Sequence, residues 1–309
     1  MQDKTFRLVH CLENGFTPYH VAENIKTQLL KNGYAPLWEE QNWVLEKGGK
    51  YFIQREGSVI AFCVNNVDEL SFKIAASHTD ACALKLKENF LVKANGYTKL
   101  NVEPYGGGIW YSFFDKPLKI AGRVCYQQGN IVTYKIVQSP YNVQIPSVAI
   151  HFNREVNDKF SIQPQTDLLP MLCTGEDMDE TQFFQSLGIN ERVLGYDLFL
   201  VSAEKSYDVG TQNQILAAPR IDNLTSAQAS LEALIAQQAD SGICVAAFFN
   251  HEEVGSHTTQ GAAGDFLENT LRRITYALQG SETDFYKAMS SSFLLSIDNA
   301  HAMHPNHPE

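Results

Sequence analysis

The stretch Ile243-Cys244-Val245-Ala246-Ala247-Phe248-Phe249-Asn250-His251-Glu252-Glu253-Val254-Gly255-Ser256 decides how this chain is read. Its first seven residues are apolar and β-prone, which predicts a buried strand, and the strand ends in two adjacent carboxylates and a glycine. In an open α/β sheet the carboxyl ends of the strands form the crevice where ligands bind. Two carboxylates placed there repel each other unless a cation lies between them, and a divalent metal is the usual one. Taken alone, a solvated strand-to-loop junction accounts for the same residues. The rest of the chain weighs against that simpler reading.

Working outward, Phe72-Lys73-Ile74-Ala75-Ala76-Ser77 reads as a second strand, ending in His78-Thr79-Asp80. A His-x-Asp triplet at a strand end allows one imidazole nitrogen to bind a metal while the carboxylate fixes the ring. By itself the triplet is more often a surface or capping feature. Phe293-Leu294-Leu295-Ser296-Ile297 is a third short strand and delivers Asp298 at its end. At Ala218-Pro219-Arg220-Ile221-Asp222-Asn223-Leu224, Asp222 or Asn223 caps a helix that carries Leu224, Ala227, Leu231 and Leu234 at helical spacing. In a mainly parallel sheet the three strand ends and Asp222 converge on one edge. A donor set of histidine and carboxylates without thiolates suits two zinc, cobalt or manganese ions, about 3.5–4 Å apart and bridged by one carboxylate.

The remaining segments read as scaffold. Thr17-Pro18 opens a helix with Val21, Ile25 and Leu29 on one face and Gly33 beyond its end. Residues 50–54 and 58–64 flank Glu56-Gly57 as a hairpin, and residues 265–279 form a helix with Phe266, Thr270, Ile274 and Leu278 aligned. From about Leu84 to Gln214 the texture changes to short β-prone runs separated by turn signals, a β-rich insertion. Gly106-Gly107-Gly108 lacks phosphate-loop spacing and a following helix, so it marks a turn or a close backbone approach. The acidic run Glu176-Asp177-Met178-Asp179-Glu180 reads as a solvated loop, and His151 stands beside an apolar run. The sequon Asn223-Leu224-Thr225 is one that an intracellular chain would not use.

Composition sets the outer bounds. A chain of 309 residues with 44% hydrophobic and 19% charged residues is expected to be globular, with one large or two moderate domains. No apolar run approaches the roughly 18 residues that span a bilayer, and the first residues do not form a signal peptide. A soluble, cytoplasmic protein is therefore expected. The six cysteines are widely spaced without a CxxC, which points to reduced thiols rather than disulfides or a thiolate zinc site. A net charge of −11 argues against nucleic-acid and anionic-membrane partners.

Read together, Ser77-His78-Thr79-Asp80, Pro219-Arg220-Ile221-Asp222-Asn223-Leu224, His251-Glu252-Glu253-Val254-Gly255-Ser256 and Ser296-Ile297-Asp298-Asn299-Ala300-His301-Ala302 resemble the M18 aspartyl aminopeptidases. These are co-catalytic metallopeptidases that remove amino-terminal Asp or Glu. Tyr105-Gly106-Gly107-Gly108-Ile109-Trp110 and Ala149-Ile150-His151 extend the likeness over nearly the whole chain in the family's order. The resemblance implies an α/β fold, with a mixed, mostly parallel sheet and flanking helices of the zinc-peptidase kind. It divides the chain into a discontinuous metallopeptidase domain, residues 1–88 and 215–309, and a β-rich lid and oligomerisation domain, residues 89–214. It further implies that Asp222 bridges two zinc ions, that His78 and Asp298 complete one site and that Glu253 binds the other. Glu252 would be the general base, and Asp80 would orient His78. His151 would reach a neighbouring subunit's active site within a dodecamer, and peptides with amino-terminal Asp or Glu would be the substrates. A further carboxy-terminal segment is implied, carrying a last histidine ligand and part of the acidic-residue pocket. The chain ends at Glu309 before any match to it, and His301, His304 and His307 sit too close to Asp298 to replace it. On that reading the metal held by Asp222 and Glu253 is expected to lack a protein ligand. The alternatives are a di-zinc exopeptidase of neutral specificity and a non-catalytic oligomerisation scaffold or inactive fragment.

Overall fold

The computed structural model describes residues 2–65 and 70–309, with side chains from residue 5 onward. The chain divides into two compact units, residues 1–81 with 220–309 and residues 82–219. In the first unit a six-stranded sheet has the spatial order Ala35–Leu37, Lys50–Arg55, Ser58–Val64, Ile243–Phe249, Phe72–His78, Phe293–Ser296. The two antiparallel pairings are both made by Ser58–Val64, and the other three are parallel. Five strands therefore run one way and the sheet is mixed, mostly parallel.

Register decides what the sheet can present. Phe249 is level with His78, and Ser296 is level with Ala76, so Asp298 emerges beside the end of the His78 strand. All seven residues of Ser58–Val64 are buried, as a continuous apolar run covered on both faces requires. On one face Phe62, Ile74 and Val245 pack with Phe266 and Ile274 of helix Phe266–Ala277 and with Phe285 of helix Glu282–Ser290. On the other, Cys63 Sγ lies 3.0 Å from the Tyr34 hydroxyl, which donates to the Leu234 carbonyl of helix Ile221–Ala236. Glu56 and Gly57 close the hairpin between Lys50–Arg55 and Ser58–Val64. Position 57 has to be glycine, because a Cβ there would come within 2.7 Å of Asn250 Nδ2 and 2.9 Å of Pro18 Cβ.

The structure departs from the sequence reading in several local details. Helix Glu282–Ser290 opens with a capping box between Ser281 and Asp284, a signal the sequence carried and the hydrophobic pattern obscured. The strand Phe293–Ser296 is as apolar as its neighbours yet lies exposed at the sheet edge. Thr17 stands at the N-cap of helix Pro18–Lys31, but its hydroxyl meets His20 Nδ1 at 2.8 Å instead of capping an amide.

His20 itself gives the fold a pH signature. Burial, assisted by the Arg220 guanidinium, holds its imidazole down at about 4, from an ordinary value of 6.5. The folded state thus favours the neutral ring, so the stability tied to it is complete above pH 6.5 and is lost as pH falls toward 4. In urea titrations of the metal-free chain, His20→Gln is expected to flatten part of the acid-side fall of the midpoint between those two pH values. Parallel pH profiles for parent and variant would contradict this assignment.

The second unit is an antiparallel sheet in the order Ile131–Gln138, Leu118–Gln128, Arg192–Ser202, Ala83–Ala94, Tyr97–Tyr105, Met171–Thr174. Gly122, at φ 154, lets Leu118–Gln128 approach Arg192–Ser202, since a Cβ there would stand 1.9 Å from the Asp197 carbonyl oxygen. Phe90 and Phe183 pack with tilted rings, centroids 4.5 Å apart, in a core shared with Phe184 and Tyr196. Asp179 of the acidic run caps helix Glu180–Ser186, a role beyond that of a solvated loop. The triple glycine is followed by a single 3-10 turn, Trp110–Phe113, where the sequence predicts no helix. All six cysteines are free thiols, although only Cys11 and Cys63 are fully buried. Among the described residues no helix is long and apolar enough to cross a membrane.

Candidate metal centre

The first unit gathers its charged strand ends at one point. His78 closes strand Phe72–His78 and is buried at 4% exposure. Its Nδ1 lies 3.1 Å from the Asp80 carbonyl oxygen and 3.3 Å from Asp80 Oδ1, which turns Nε2 the other way. That nitrogen faces Asp222 Oδ1 at 3.3 Å, Asp298 Oδ1 at 3.6 Å and Glu252 Oε2 at 3.8 Å. His78, Asp222 and Asp298 each offer a ligand atom, and these atoms lie within 4.8 Å of one another.

Two backbone devices create the convergence. After Phe249 the chain turns sharply, with His251 at φ 63 and Gly255 at φ 98, around a single 3-10 turn Glu252–Val254. The amides of Glu252 and Glu253 at the start of that turn donate to the two carboxylate oxygens of the buried Asp80, each at 3.2 Å. A carboxylate at the amino end of a helical turn is where orphan N–H groups favour it. Asp80 therefore links the His78 ring to the Glu252 turn.

The second device joins Asp222 to Asp298. Helix Ile221–Ala236 is broken at its start, where Asp222 and Asn223 have non-helical backbone angles and Arg220 occupies the cap position at φ 58. Asp222 is thereby released from capping, the role the sequence allowed it, and points to His78. Asn223 Nδ2 donates to the Ile297 carbonyl, while Asn299 Nδ2 donates to the Ile221 carbonyl, Asn223 Oδ1 and Thr225 Oγ1. This latch, which the sequence reading missed, holds the two aspartates side by side. The signal was present as a repeated triplet: Ile221-Asp222-Asn223 and Ile297-Asp298-Asn299. Because Asn223 is fully buried, it is no glycosylation acceptor in the folded chain.

The electrostatics are those of crowded acids around one imidazole. Burial alone would lower the His78 pKa, but hydrogen bonding to Asp80 and the charges of Asp80, Glu252 and Asp298 outweigh it and raise the ring to about 9. Burial and the hydrogen bond and charge of Asp298 push Asp222 up to about 6, against the opposing pull of His78. Glu252 is also raised, by burial first and by its acidic neighbours, with His78 again opposing. Such a cluster holds protons where it could hold a cation.

The donor set fits a divalent metal. Ligand atoms about 2.0–2.1 Å from a tetrahedral zinc ion stand about 3.3–3.4 Å apart. The spacings of His78 Nε2 to Asp222 and Asp298 match that geometry. Glu253 stands outside this trio; its amide is on Asp80 and its charge raises the Asp222 pKa. His301, His304 and His307 are exposed, and the rings of His304 and His307 are 5.2 Å apart. His151 belongs to the other unit, in an exposed turn between the exposed Ile150 and Phe152. Beside the trio lies a cavity of about 310 Å³, walled by Phe249, Leu267, Leu294 and Ile297 and reached by His78 and Glu252. Replacing Asp80 with Asn is expected to weaken zinc binding by roughly 10–100-fold, because outer partners of ligating histidines typically contribute that much. Competition against a chromophoric chelator measures it, and an unchanged affinity would contradict the link from Asp80 to His78.

Known proteins place this chain in a family. The family described as aminopeptidase I zinc metalloprotease (M18) matches residues 11–309. The chain belongs to the M18 aminopeptidase family. Its class is accordingly that of a hydrolase. A protein of Clostridium acetobutylicum named "Probable M18 family aminopeptidase 2" is 38% identical over 318 residues, covering 98% of this chain and 73% of that protein. A Pseudomonas aeruginosa protein of the same name is 35% identical, covering 98% and 72%. Among solved structures, Ape4 in its complex with Nbr1 superposes on the M18 chain with a TM-score of 0.91 at 30% identity, covering 99% of this chain and 65% of that one. Chaetomium thermophilum mApe1 gives 0.89 at 27% identity, covering 99% and 77%. The M18 chain thus spans about two thirds to three quarters of these relatives.

Proposed function

We propose that this chain removes amino-terminal residues from peptides, with Asp and Glu preferred. The observation that carries the reading is the meeting of Asp222, Asp298 and Glu252 around the Nε2 of a buried histidine whose other nitrogen is held on Asp80. His78, Asp222 and Asp298 would hold one ion, and Asp222 would share a second with Glu253. When bound, divalent metals supply electrophilic polarisation of the scissile carbonyl and bring the pKa of water down toward neutrality. Glu252 takes the proton of the attacking water and hands it to the leaving amine, a task suited by its raised pKa. Asp80 fixes the His78 tautomer. The acidic surplus also attracts the free ammonium of a peptide end, which favours amino-terminal over internal cleavage.

We assign the metallopeptidase role to residues 1–81 with 220–309 and the lid and oligomerisation role to residues 82–219, because the boundaries expected at 88 and 215 would cut strand Ala83–Ala94. In that scheme His151 serves a neighbouring subunit. The exposed Val148, Ile150 and Phe152 around it support a covered interface. S. cerevisiae mApe1, with a TM-score of 0.80 at 23% identity, was solved as a dodecamer. A homo-oligomer in the cytoplasm is our expectation for this chain.

A second reading, neutral specificity, is favoured by one observation: among the described residues lining the cavity there is no Lys or Arg to meet an acidic side chain. Release of free Asp from Asp-peptides and of Leu from Leu-peptides, after loading with zinc, cobalt or manganese, separates the readings. Faster release of Asp, lost on chelation, is the expected result. Faster release of Leu supports neutral specificity. No release together with no bound metal favours the non-catalytic scaffold or inactive fragment.

A further inference from the structure

Behind the Glu252 turn lies a buried network of amides that neither the ligand set nor the proton transfer uses. Asn250 is fully buried and Gln260 is 7% exposed. Asn250 Nδ2 donates to Gln260 Oε1 at 2.9 Å, and Asn250 Oδ1 accepts the His251 amide at 2.8 Å. Gln260 Oε1 also accepts the Gly57 amide at 3.0 Å, while its Nε2 donates to Glu56 Oε2 at 2.5 Å. Ser58 Oγ donates to the Gln260 carbonyl at 2.7 Å and accepts the Asn250 amide at 2.9 Å. The Gly57 carbonyl in turn accepts the hydroxyl of Thr79, the residue between His78 and Asp80, at 2.9 Å.

One hairpin turn therefore holds both halves of the site. Through the Gly57 carbonyl it fixes the His78 and Asp80 segment, and through its amide and Gln260 it fixes Asn250 and His251. The His251 turn needs such a hold, because a non-glycine residue at φ 63 is uncommon and persists only where its surroundings enforce it. Buried hydrogen-bond networks of this kind rigidify, and losing one member leaves others buried without partners.

We propose that Gln260, acting through Asn250 and Gly57, is a positioning residue that sets Glu252 and Glu253 against Asp80 and so fixes the geometry of the metal site. The inference rests on the metal-site reading above. Gln260→Met keeps the volume and removes both hydrogen-bonding ends. The zinc affinity of this variant is expected to fall by roughly 10–100-fold, the range seen for outer-shell partners. Its cobalt-substituted form is expected to show a shifted visible absorption spectrum. Phe285→Leu, in the helical part of the core, serves as a control that lowers Tm without touching the network. If Gln260→Met lowers Tm like the control but leaves zinc affinity and the cobalt spectrum at parental values, the proposal is overturned. Should Gln260→Met fail to fold, Ser58→Ala adds no charge and removes the hydroxyl that ties the Gln260 carbonyl to the Asn250 amide. The same comparison then applies, with parental affinity again overturning the proposal. A parent chain that binds neither metal instead refutes the site reading, which keeps the two failures distinct.

Discussion

Glu252→Gln is expected to bind metal as the parent does and to lose turnover by roughly 10²–10⁴-fold, the usual contribution of a positioned general base. The amide is nearly isosteric, and the backbone N–H that anchors this residue to Asp80 is untouched by the change. The Glu252 side chain is also the outlier of the cluster, with Oε2 at 3.8 Å from His78 Nε2, against 3.3 Å for Asp222 and 3.6 Å for Asp298. A group standing back from the ligand atoms, with its pKa raised, is placed to exchange a proton rather than to coordinate. Turnover is read by release of the amino-terminal residue, and bound metal by elemental analysis of the same sample. Near-parental turnover would assign the base elsewhere. Joint loss of metal and turnover would make Glu252 a ligand.

Asp222→Asn is expected to have a larger effect on binding than any outer partner, weakening zinc affinity by more than the roughly 10–100-fold typical of those positions. Asp222 makes the shortest contact from a carboxylate to His78 Nε2, and its neighbours Asp298 and Glu253 both act on its charge. It is therefore the residue whose charge two ions could share. The sign of the stability change is the sharper test. In the metal-free chain Asp222 is one of several crowded acids, so removing its charge should leave Tm unchanged or raise it. The rise in Tm that saturating zinc gives the parent by mass action should largely disappear. Differential scanning fluorimetry with and without zinc reads both quantities. A variant that keeps the full zinc-dependent shift would remove Asp222 from the ligand set.

Much of this architecture was legible because it rests on periodicity and punctuation. Continuous apolar runs marked Ser58–Val64, Phe72–His78 and Ile243–Phe249 as strands, since covered strands show no alternation. The break in texture near Leu84 announced a β-rich unit, because short strands and tight turns leave their own composition. Helix Glu282–Ser290 escaped notice, although its capping box was written in the sequence. The exposure of Phe293–Ser296 was hidden for a physical reason: whether a strand is central or at an edge depends on its neighbours, not on its own residues.

The sequence by itself determined which residue types stand at strand ends, and with them the family and the chemistry they can support. His78, Asp80, Asp222, Glu252, Glu253 and Asp298 could all be named from it, because strand termination and charge are local properties. Only the tertiary structure decided which atoms meet. The parallel register of three strands brings Asp298 level with His78. The Asn223 and Asn299 latch brings Asp222 beside Asp298, and two backbone amides seat the Glu252 turn on Asp80. Asn250 and Gln260 looked like ordinary loop amides until the hairpin at Gly57 was packed against them. Hydrogen bonds between residues 76 to 203 positions apart leave no periodicity to read, and they set where the carboxylates stand.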